Sequence, residues 1–73
     1  MNYVYNSRFG TFTIMQKNNR WHIVFDGENL GSYATPEQAL DDLVGGHTYW
    51  PSNGIDPSEC GLPDELSAWS KSR

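Results

Sequence analysis

The side chains best suited to chemistry in this chain are two histidines and one cysteine, His22, His47 and Cys60. Zinc sites usually draw on ligands paired at short spacing, such as Cys-x-x-Cys or His-x-x-x-His. Here the three candidates are singletons that lie at least 13 residues apart. The pattern therefore predicts no metal site. It favours a histidine on a strand surface, a histidine in a loop and a small buried thiol.

A catalytic thiol would have to pair Cys60 with His47, and its pKa would have to be lowered by a cation or a helix N-terminus. Cys60 instead follows Glu59 at the end of a predicted helical turn, where the helix dipole gives no such help. The carboxylates fall in predicted turns and caps, whereas acid–base catalysis needs two carboxylates in different, partly buried surroundings. The sequence thus predicts no catalytic residue and no cofactor, and a thiol- or metal-dependent enzyme is the third hypothesis for function.

The charges of the chain are unevenly distributed. The net charge is −4, and all nine acids fall between Trp21 and Ser70, a stretch without Lys or Arg. Nucleic-acid binding draws most of its affinity from neutralised phosphates, so this layout argues against a duplex partner. The sequence shows no leader pattern and no apolar run of about 18 residues, and one cysteine cannot form an internal disulfide. We therefore expect a soluble, cytoplasmic protein without a membrane partner.

The first half of the chain alternates apolar and polar residues, which predicts strands joined by tight turns. Phe12 and Ile14 share one face of a strand, as do Ile23 and Phe25 of the next, and Asp26 opens a hairpin turn. The predicted strands are 3–5, 10–17, 21–25 and 30–33. We expect a three- to four-stranded antiparallel meander.

The stretch 35–44 predicts the one long helix. Thr35 suits the N-cap, Pro36 the first helical position, and Gln38 can close a capping box. Gly45 suits the left-handed residue past the helix end. A helix of about ten residues is unstable alone, so it must pack on one face of the sheet.

Together these elements predict one small α+β domain over residues 1–73. Residues 1–46 supply the sheet and the helix, and residues 47–69 form an irregular segment with short helical turns that packs on them. Residues 70–73 are expected to be a loose tail.

The helix can cover only one face of the sheet, so the second face is either covered by the C-terminal segment or open. Cover would come from Trp50, Ile55 and Trp69, and we expect this alternative. An open face, next to an exposed strand edge near residues 3–5, would be a protein-contact surface. The residues of that candidate surface are Tyr3, Tyr5, Thr13, Met15, His22 and Val24.

The leading hypothesis for function is a small non-enzymatic protein-interaction module, of which a homodimer is one version. The alternative is a nucleic-acid-binding module that uses its strands. The residues of that alternative are Arg8, Lys17, Arg20 and Trp21.

The region from the third strand to the helix resembles a three-strand-plus-helix pattern. It occurs in plant APETALA-type and phage-integrase arm DNA-binding domains and, more loosely, in double-stranded-RNA-binding domains. The resemblance implies the fold, and it implies a row of Arg and Lys toward nucleic acid, of which only Lys17 and Arg20 are present here. The motif reads Trp21-x-Ile23, Asp26-Gly27, Leu30-Gly31-x-Tyr33-x-Thr35-x-Glu37-Gln38-Ala39.

The later part of the chain looks like a group of small uncharacterised bacterial proteins of similar length. The group has no established activity, so the likeness implies no site residue. It implies only that the C-terminal segment belongs to the domain. The motif reads Gly45-Gly46-His47-Thr48-x-Trp50-Pro51-Ser52, Gly54-Ile55-Asp56, Gly61-Leu62-Pro63-Asp64-x-Leu66-Ser67-x-Trp69.

Overall fold

The structure, a computed structural model, describes residues 2–72 and contains a five-stranded antiparallel sheet and one α-helix. The elements are β1 (Asn2–Ser7), β2 (Gly10–Lys17), β3 (Arg20–Phe25), β4 (Glu28–Tyr33), α1 (Pro36–Val44), 3₁₀ turns at Pro57–Glu59 and Leu66–Ala68, and β5 (Ser70–Ser72). The strand order is β4-β3-β2-β1-β5, so β1 to β4 form a meander and β5 joins it beside β1. The predicted α+β class and meander are confirmed.

Two-residue turns set the register of the meander. Asn18 and Asn19 both have positive φ, 55° and 63°, as do Asp26 and Gly27, 50° and 81°. Paired positive φ values are the mark of the type I′ turn, whose twist matches that of the flanking strands. These two turns therefore set the pairing of β2 with β3 and the first pairs of β3 with β4, whose register shifts between Ile23 and Val24.

We call the side of the sheet that carries Phe12, Ile14, Ile23 and Phe25 the inner face. Phe12 lies opposite Phe25 and Ile14 opposite Ile23, and the two phenylalanine rings are 4.4 Å apart. All four side chains are fully buried or nearly so, and each stabilises the fold by about 1.5–3 kcal/mol through burial. Further buried core residues come from β4 and α1: Leu30, Ala39, Leu40 and Leu43.

Helix α1 begins with the predicted Thr35 cap and Pro36 start, whereas the hydrogen bond from Thr35 N–H to the Gln38 side chain that would complete the predicted capping box is not formed. The Thr35 hydroxyl oxygen accepts a hydrogen bond from the Gln38 backbone N–H at 3.1 Å, and Pro36 occupies the first helical position. This cap satisfies one of the N–H groups that a helix leaves unpaired at its start.

The helix ends at Val44, as predicted, but the left-handed residue comes one position later than expected. Gly45 keeps helical angles, with φ −83°, and Gly46 takes the left-handed conformation, with φ 74°. The prediction that Gly45 is the left-handed residue is therefore wrong. The Gly46 and His47 N–H groups donate back to carbonyl oxygens of the last turn, at 3.1 and 2.9 Å, and so close the helix end.

The C-terminal segment packs on the inner face beside the helix. Cys60 and Trp69 belong to the core, where they are 6% and 4% exposed. The Trp69 ring lies 5.7 Å from the Tyr5 ring, and its indole N–H donates to the Pro63 carbonyl oxygen at 3.0 Å. Partly buried residues of the same segment also pack against the core: Ile55, Leu62 and Leu66.

The expectation that this segment covers the second face is therefore wrong. Ile55 and Trp69 lie on the same side as the helix. Trp50 is 50% exposed, and its indole N–H donates to the Gly46 carbonyl oxygen at 3.0 Å. The physical reason is that the helix is too short to fill the inner layer, which leaves apolar sheet surface for the segment to bury.

The predicted loose tail is also wrong for the described residues, because Ser70–Ser72 form β5. Tyr3 pairs with Lys71 and Val4 with Ser70, whereas Arg73 lies outside the described residues. Strand β1 is consequently an interior strand over Asn2–Val4, so the edge predicted to be exposed near residues 3–5 is covered at Tyr3 and Val4, and Tyr5 lies beyond the pairing. The buried Trp69 holds the chain beside β1 and so makes this pairing possible.

Replacement of Trp69 should remove much of the stability. We expect Trp69→Ala to lower the free energy of unfolding by about 3–5 kcal/mol, because a large buried ring leaves a cavity. Trp50→Ala is the matched control and should cost less than about 1.5 kcal/mol, the worth of one hydrogen bond. Guanidinium unfolding followed by circular dichroism measures both, and equal losses would contradict this account of the core.

Candidate functional site

The outer face is the side of the sheet opposite the helix, and four predicted contact residues lie together on it. Thr13 faces Val24 across the β2–β3 pair, and Met15 faces His22. Val4 of β1 extends the row beside Thr13. All five are half-buried, although within residues 2–72 the helix and the C-terminal segment pack on the other side.

Tyr3 and Tyr5 are not part of this surface, so their assignment to it is wrong. They pair with Ile14 and Phe12, which places them on the inner face. Tyr3 lies 5.9 Å from the Trp21 ring. Side chains of a strand alternate between the two faces, so the face on which Tyr3 and Tyr5 lie depends on how β1 pairs with β2. The sequence of a short strand does not reveal that pairing by itself.

A chain of hydrogen bonds fixes the polar edge of the outer face. The Gly31 N–H donates to Asn29 Oδ1 at 2.9 Å, which leaves Asn29 Nδ2 facing His22 Nδ1 at 3.1 Å. Since an amide nitrogen only donates, Nδ1 must be the acceptor and the neutral ring carries its proton on Nε2. The outer face therefore presents an imidazole N–H donor beside Val24 and Met15.

Acidic residues are absent from the outward-facing strand positions of residues 2–72. Lys17 and Arg20 are the cations there, and both lie at the β2–β3 turn. The Arg20 guanidinium donates to the hydroxyl and the carbonyl oxygen of Ser32, at 2.8 and 3.1 Å. The centre of the outer face is therefore uncharged.

The residues suggested for nucleic-acid binding do not converge. Arg8 lies in the β1–β2 turn, 5.8 Å from the Phe9 ring centroid, at the opposite end of β2 from Lys17 and Arg20. Trp21 points to the inner face, against Tyr3. The four residues therefore form no shared basic surface, and nucleic-acid binding stays a prediction.

Cys60 and His47 show no catalytic arrangement. The Cys60 thiol donates to the Asp56 carbonyl oxygen at 3.5 Å, and burial, followed by the charges of Asp56 and Glu59, raises its pKa. A raised pKa keeps the thiol protonated and unreactive.

Among the described residues, no group of three His, Cys, Asp or Glu side chains is close enough to hold a metal ion. No helix within residues 2–72 is long and apolar enough to cross a membrane.

The structure also contains a groove that the sequence did not predict, between the edge strand β4 and residues 47–49. This edge groove has a volume of about 570 Å³. The Tyr33 hydroxyl donates to Asp42 Oδ2 at 2.9 Å, and burial, followed by the hydrogen bond to Asp42 and the Asp42 charge, raises the pKa of Tyr33 to about 12. The walls of the edge groove are Leu30, Gly31, Ser32, Tyr33, His47, Thr48 and Tyr49.

A carboxylate clamp holds the loop that follows the groove. Both oxygens of Glu28 accept the Ser52 backbone N–H, at 3.0 and 3.2 Å, and one accepts its hydroxyl at 2.8 Å. The bond to the Ser52 backbone, then that to its hydroxyl, lowers the pKa of Glu28. The loop therefore stays tied to the start of β4. Glycine–ring pairs at Gly31-x-Tyr33 and Gly45-x-His47 are the sequence signal that could have indicated the groove.

Comparisons of the chain with protein-family models, with curated proteins and with solved structures found no match. The resemblances to DNA-binding domains and to small bacterial proteins are therefore not tested, and they stay predictions. What the chain does has to be inferred from the geometry and charges of its own residues.

The Tyr33–Asp42 bond predicts a stability that falls at high pH. Folding raises the pKa of Tyr33 from 10.0 to about 12, so the folded state keeps a proton that the unfolded chain has lost. This stabilisation is complete below pH 10 and disappears as the pH rises to about 12. Tyrosinate absorbance of the wild type minus that of Tyr33→Phe should give a midpoint near 12. A midpoint near the ordinary value of 10.0 would contradict both the burial of Tyr33 and its bond to Asp42.

Proposed function

We propose that this protein is a non-enzymatic, cytoplasmic protein-interaction module that pairs with a second copy of itself through the outer face. The observation that carries the proposal is the open, uncharged centre of that face. The single cysteine, buried and without a disulfide, fits a reducing compartment.

The composition of the outer face supports a contact rather than a purely solvated surface. An antiparallel sheet that is open to water normally alternates apolar residues inside with polar residues outside. Here Val4, Met15 and Val24 interrupt the polar residues of the outer face on three neighbouring strands, with Val4 and Val24 on either side of Thr13 and Met15 two residues further along β2. Burial of such a neutral patch removes apolar area from water without leaving a charge unpaired.

The distribution of charge favours self-association through the outer faces over self-association through the helix side. The protein carries a net charge of −4, and its acids lie in the β3–β4 turn, in β4, on the helix and in the C-terminal segment. Two copies that meet through their outer faces keep the acidic helices on opposite sides of the dimer. Any contact that uses the helix side would bring like charges together and would be opposed by their repulsion.

The proposed dimer is a two-fold pair of stacked sheets. In such packing the two sheets lie about 10 Å apart, with strands rotated by about 30°. The two longest extents of the molecule are 28 and 21 Å, so one face contributes a contact below the standard size for stable complexes. We therefore expect reversible pairing with a micromolar or weaker dissociation constant.

A charge placed at the centre of the outer face should abolish the pairing. Thr13 lies between Val4 and Val24, so Thr13→Lys would bury an unpaired ammonium in the dimer. We expect this variant to stay monomeric, whereas the wild type dimerises as its concentration rises. Light scattering after size-exclusion chromatography, from micromolar to near-millimolar protein, measures the mass.

Gln16→Lys is the matched control, because Gln16 is an exposed residue of the same strand on the other face. It adds the same charge and should leave dimerisation intact. Circular dichroism melting curves must show that both variants fold. A wild type that remains monomeric at every concentration, or equal loss of dimer in both variants, would overturn the proposal.

A further inference from the structure

Two glycines without positive φ support the rings that wall the edge groove. A Cβ atom added to Gly31 would lie 2.7 Å from the Tyr33 ring, and one added to Gly45 would lie 2.6 Å from the His47 ring. Gly45 is helical and Gly31 is not among the residues with positive φ. Glycine is needed at these two positions because a ring approaches the backbone closely, and not because the backbone is left-handed. The rings of Tyr33 and His47 are thereby held in place before any ligand arrives.

The groove combines aromatic rings with negative charge. Tyr33 and Tyr49 offer ring faces, and Tyr49 is 79% exposed. The Asp42 carboxylate accepts the Tyr33 hydroxyl, so a negative charge lies directly behind this wall. Aromatic faces and carboxylates together attract ammonium and guanidinium groups.

No cation from the groove's own stretch can neutralise this charge. The walls come from residues 30–33 and 47–49, and the stretch 21–70 contains no Lys or Arg. Arg20 reaches the groove at Ser32, where its guanidinium is held by two hydrogen bonds. The positive charge of Arg20 lies at the end of the groove nearest the outer face and repels a cationic ligand. Such a ligand should therefore bind at the other end, near Tyr33.

The groove is open to a side chain and not to a further strand. Strand β4 is the last strand of the sheet on this side, and its Leu30 carbonyl oxygen already accepts the Tyr49 N–H at 3.1 Å. The Ser32 carbonyl oxygen accepts from Arg20, so a partner would enter the groove through a side chain rather than by adding to the sheet edge. The volume of about 570 Å³ lies within the range of ligand pockets, roughly 300–1,000 Å³.

We propose that the edge groove binds a segment of a partner protein through an arginine side chain that stacks between Tyr33 and Tyr49 near Asp42. This site is separate from the outer face. Its occupation and the self-association proposed above can therefore each fail without the other.

The probe is an acetylated, amidated pentapeptide with one central arginine between glycines, and the same peptide with citrulline is its neutral match. Titrated into the full-length, isotope-labelled protein, the arginine peptide should shift the amide signals of Ser32, Tyr33, Thr48 and Tyr49 and reach saturation. The citrulline peptide should bind at least about tenfold more weakly, because it lacks the charge.

Variants separate the groove from general attraction to an acidic protein. Tyr49→Ala should weaken binding of the arginine peptide about 3- to 10-fold. Trp50 is the exposed residue next to Tyr49 in the sequence, and Trp50→Ala should leave this binding unchanged. Asp42→Asn keeps an acceptor for the Tyr33 hydroxyl but removes the charge, and should weaken binding several-fold. Asp64→Asn removes the same charge from an exposed acid outside the groove and should have little effect.

Each contrary result overturns a stated part of the proposal. Equal binding of the citrulline peptide, or equal effects of the Asp42 and Asp64 variants, would exclude the arginine site. Shifts confined to the outer face would exclude the groove. Free arginine amide that binds as tightly as the peptide would show a site for small cations and not for a segment of a partner protein. The melting curve of each variant shows whether its fold is retained.

Discussion

The structure depends on the cross-strand pairs Phe12–Phe25 and Ile14–Ile23, which make one face of the sheet apolar. Helix α1 covers part of this face, but its nine residues cannot cover it all. The remaining apolar surface is buried by the C-terminal segment, mainly through Cys60 and Trp69. The helix and the C-terminal segment therefore both cover the inner face. This constraint explains why the outer face of the sheet is left uncovered.

The same constraint separates the charges. The helix and the C-terminal segment face water on their outer sides, and they carry seven of the nine acids. The strands that form the outer face have no need of acids for solubility, because the acidic layer already supplies a net charge of −4. The result is a small domain with one acidic side and one side whose centre is uncharged, which limits the orientations in which copies can meet.

Local signals predicted the features that depend on neighbouring residues. The Thr35 cap, the Pro36 start and the hairpin turns are each decided within a few residues, and they are present as expected. The errors concern distant contacts. The face on which Tyr3 lies depends on its pairing with Ile14. The strand at 70–72 depends on the packing of Trp69 against Tyr5.

The candidate surfaces were predictable to different degrees for the same reason. Thr13, Met15, His22 and Val24 share a face because two long, clearly alternating strands are joined by a tight turn, so their phase could be derived from the sequence. The edge groove joins β4 to a loop that lies beyond the helix. Its only sequence signal is the spacing of Gly31 to Tyr33 and of Gly45 to His47, which has no meaning until the rings are seen to lie on the glycines.

The path of the chain after Gly46 connects the two surfaces. Instead of crossing to the outer face, the chain turns back along the edge of β4, where Tyr49 donates to Leu30 and Glu28 holds Ser52. This path continues into the inner layer, so the outer face stays free. It also places Tyr49 beside β4, so that Tyr33 and Tyr49 are walls of the same groove. The open face and the edge groove therefore both follow from where this one segment runs.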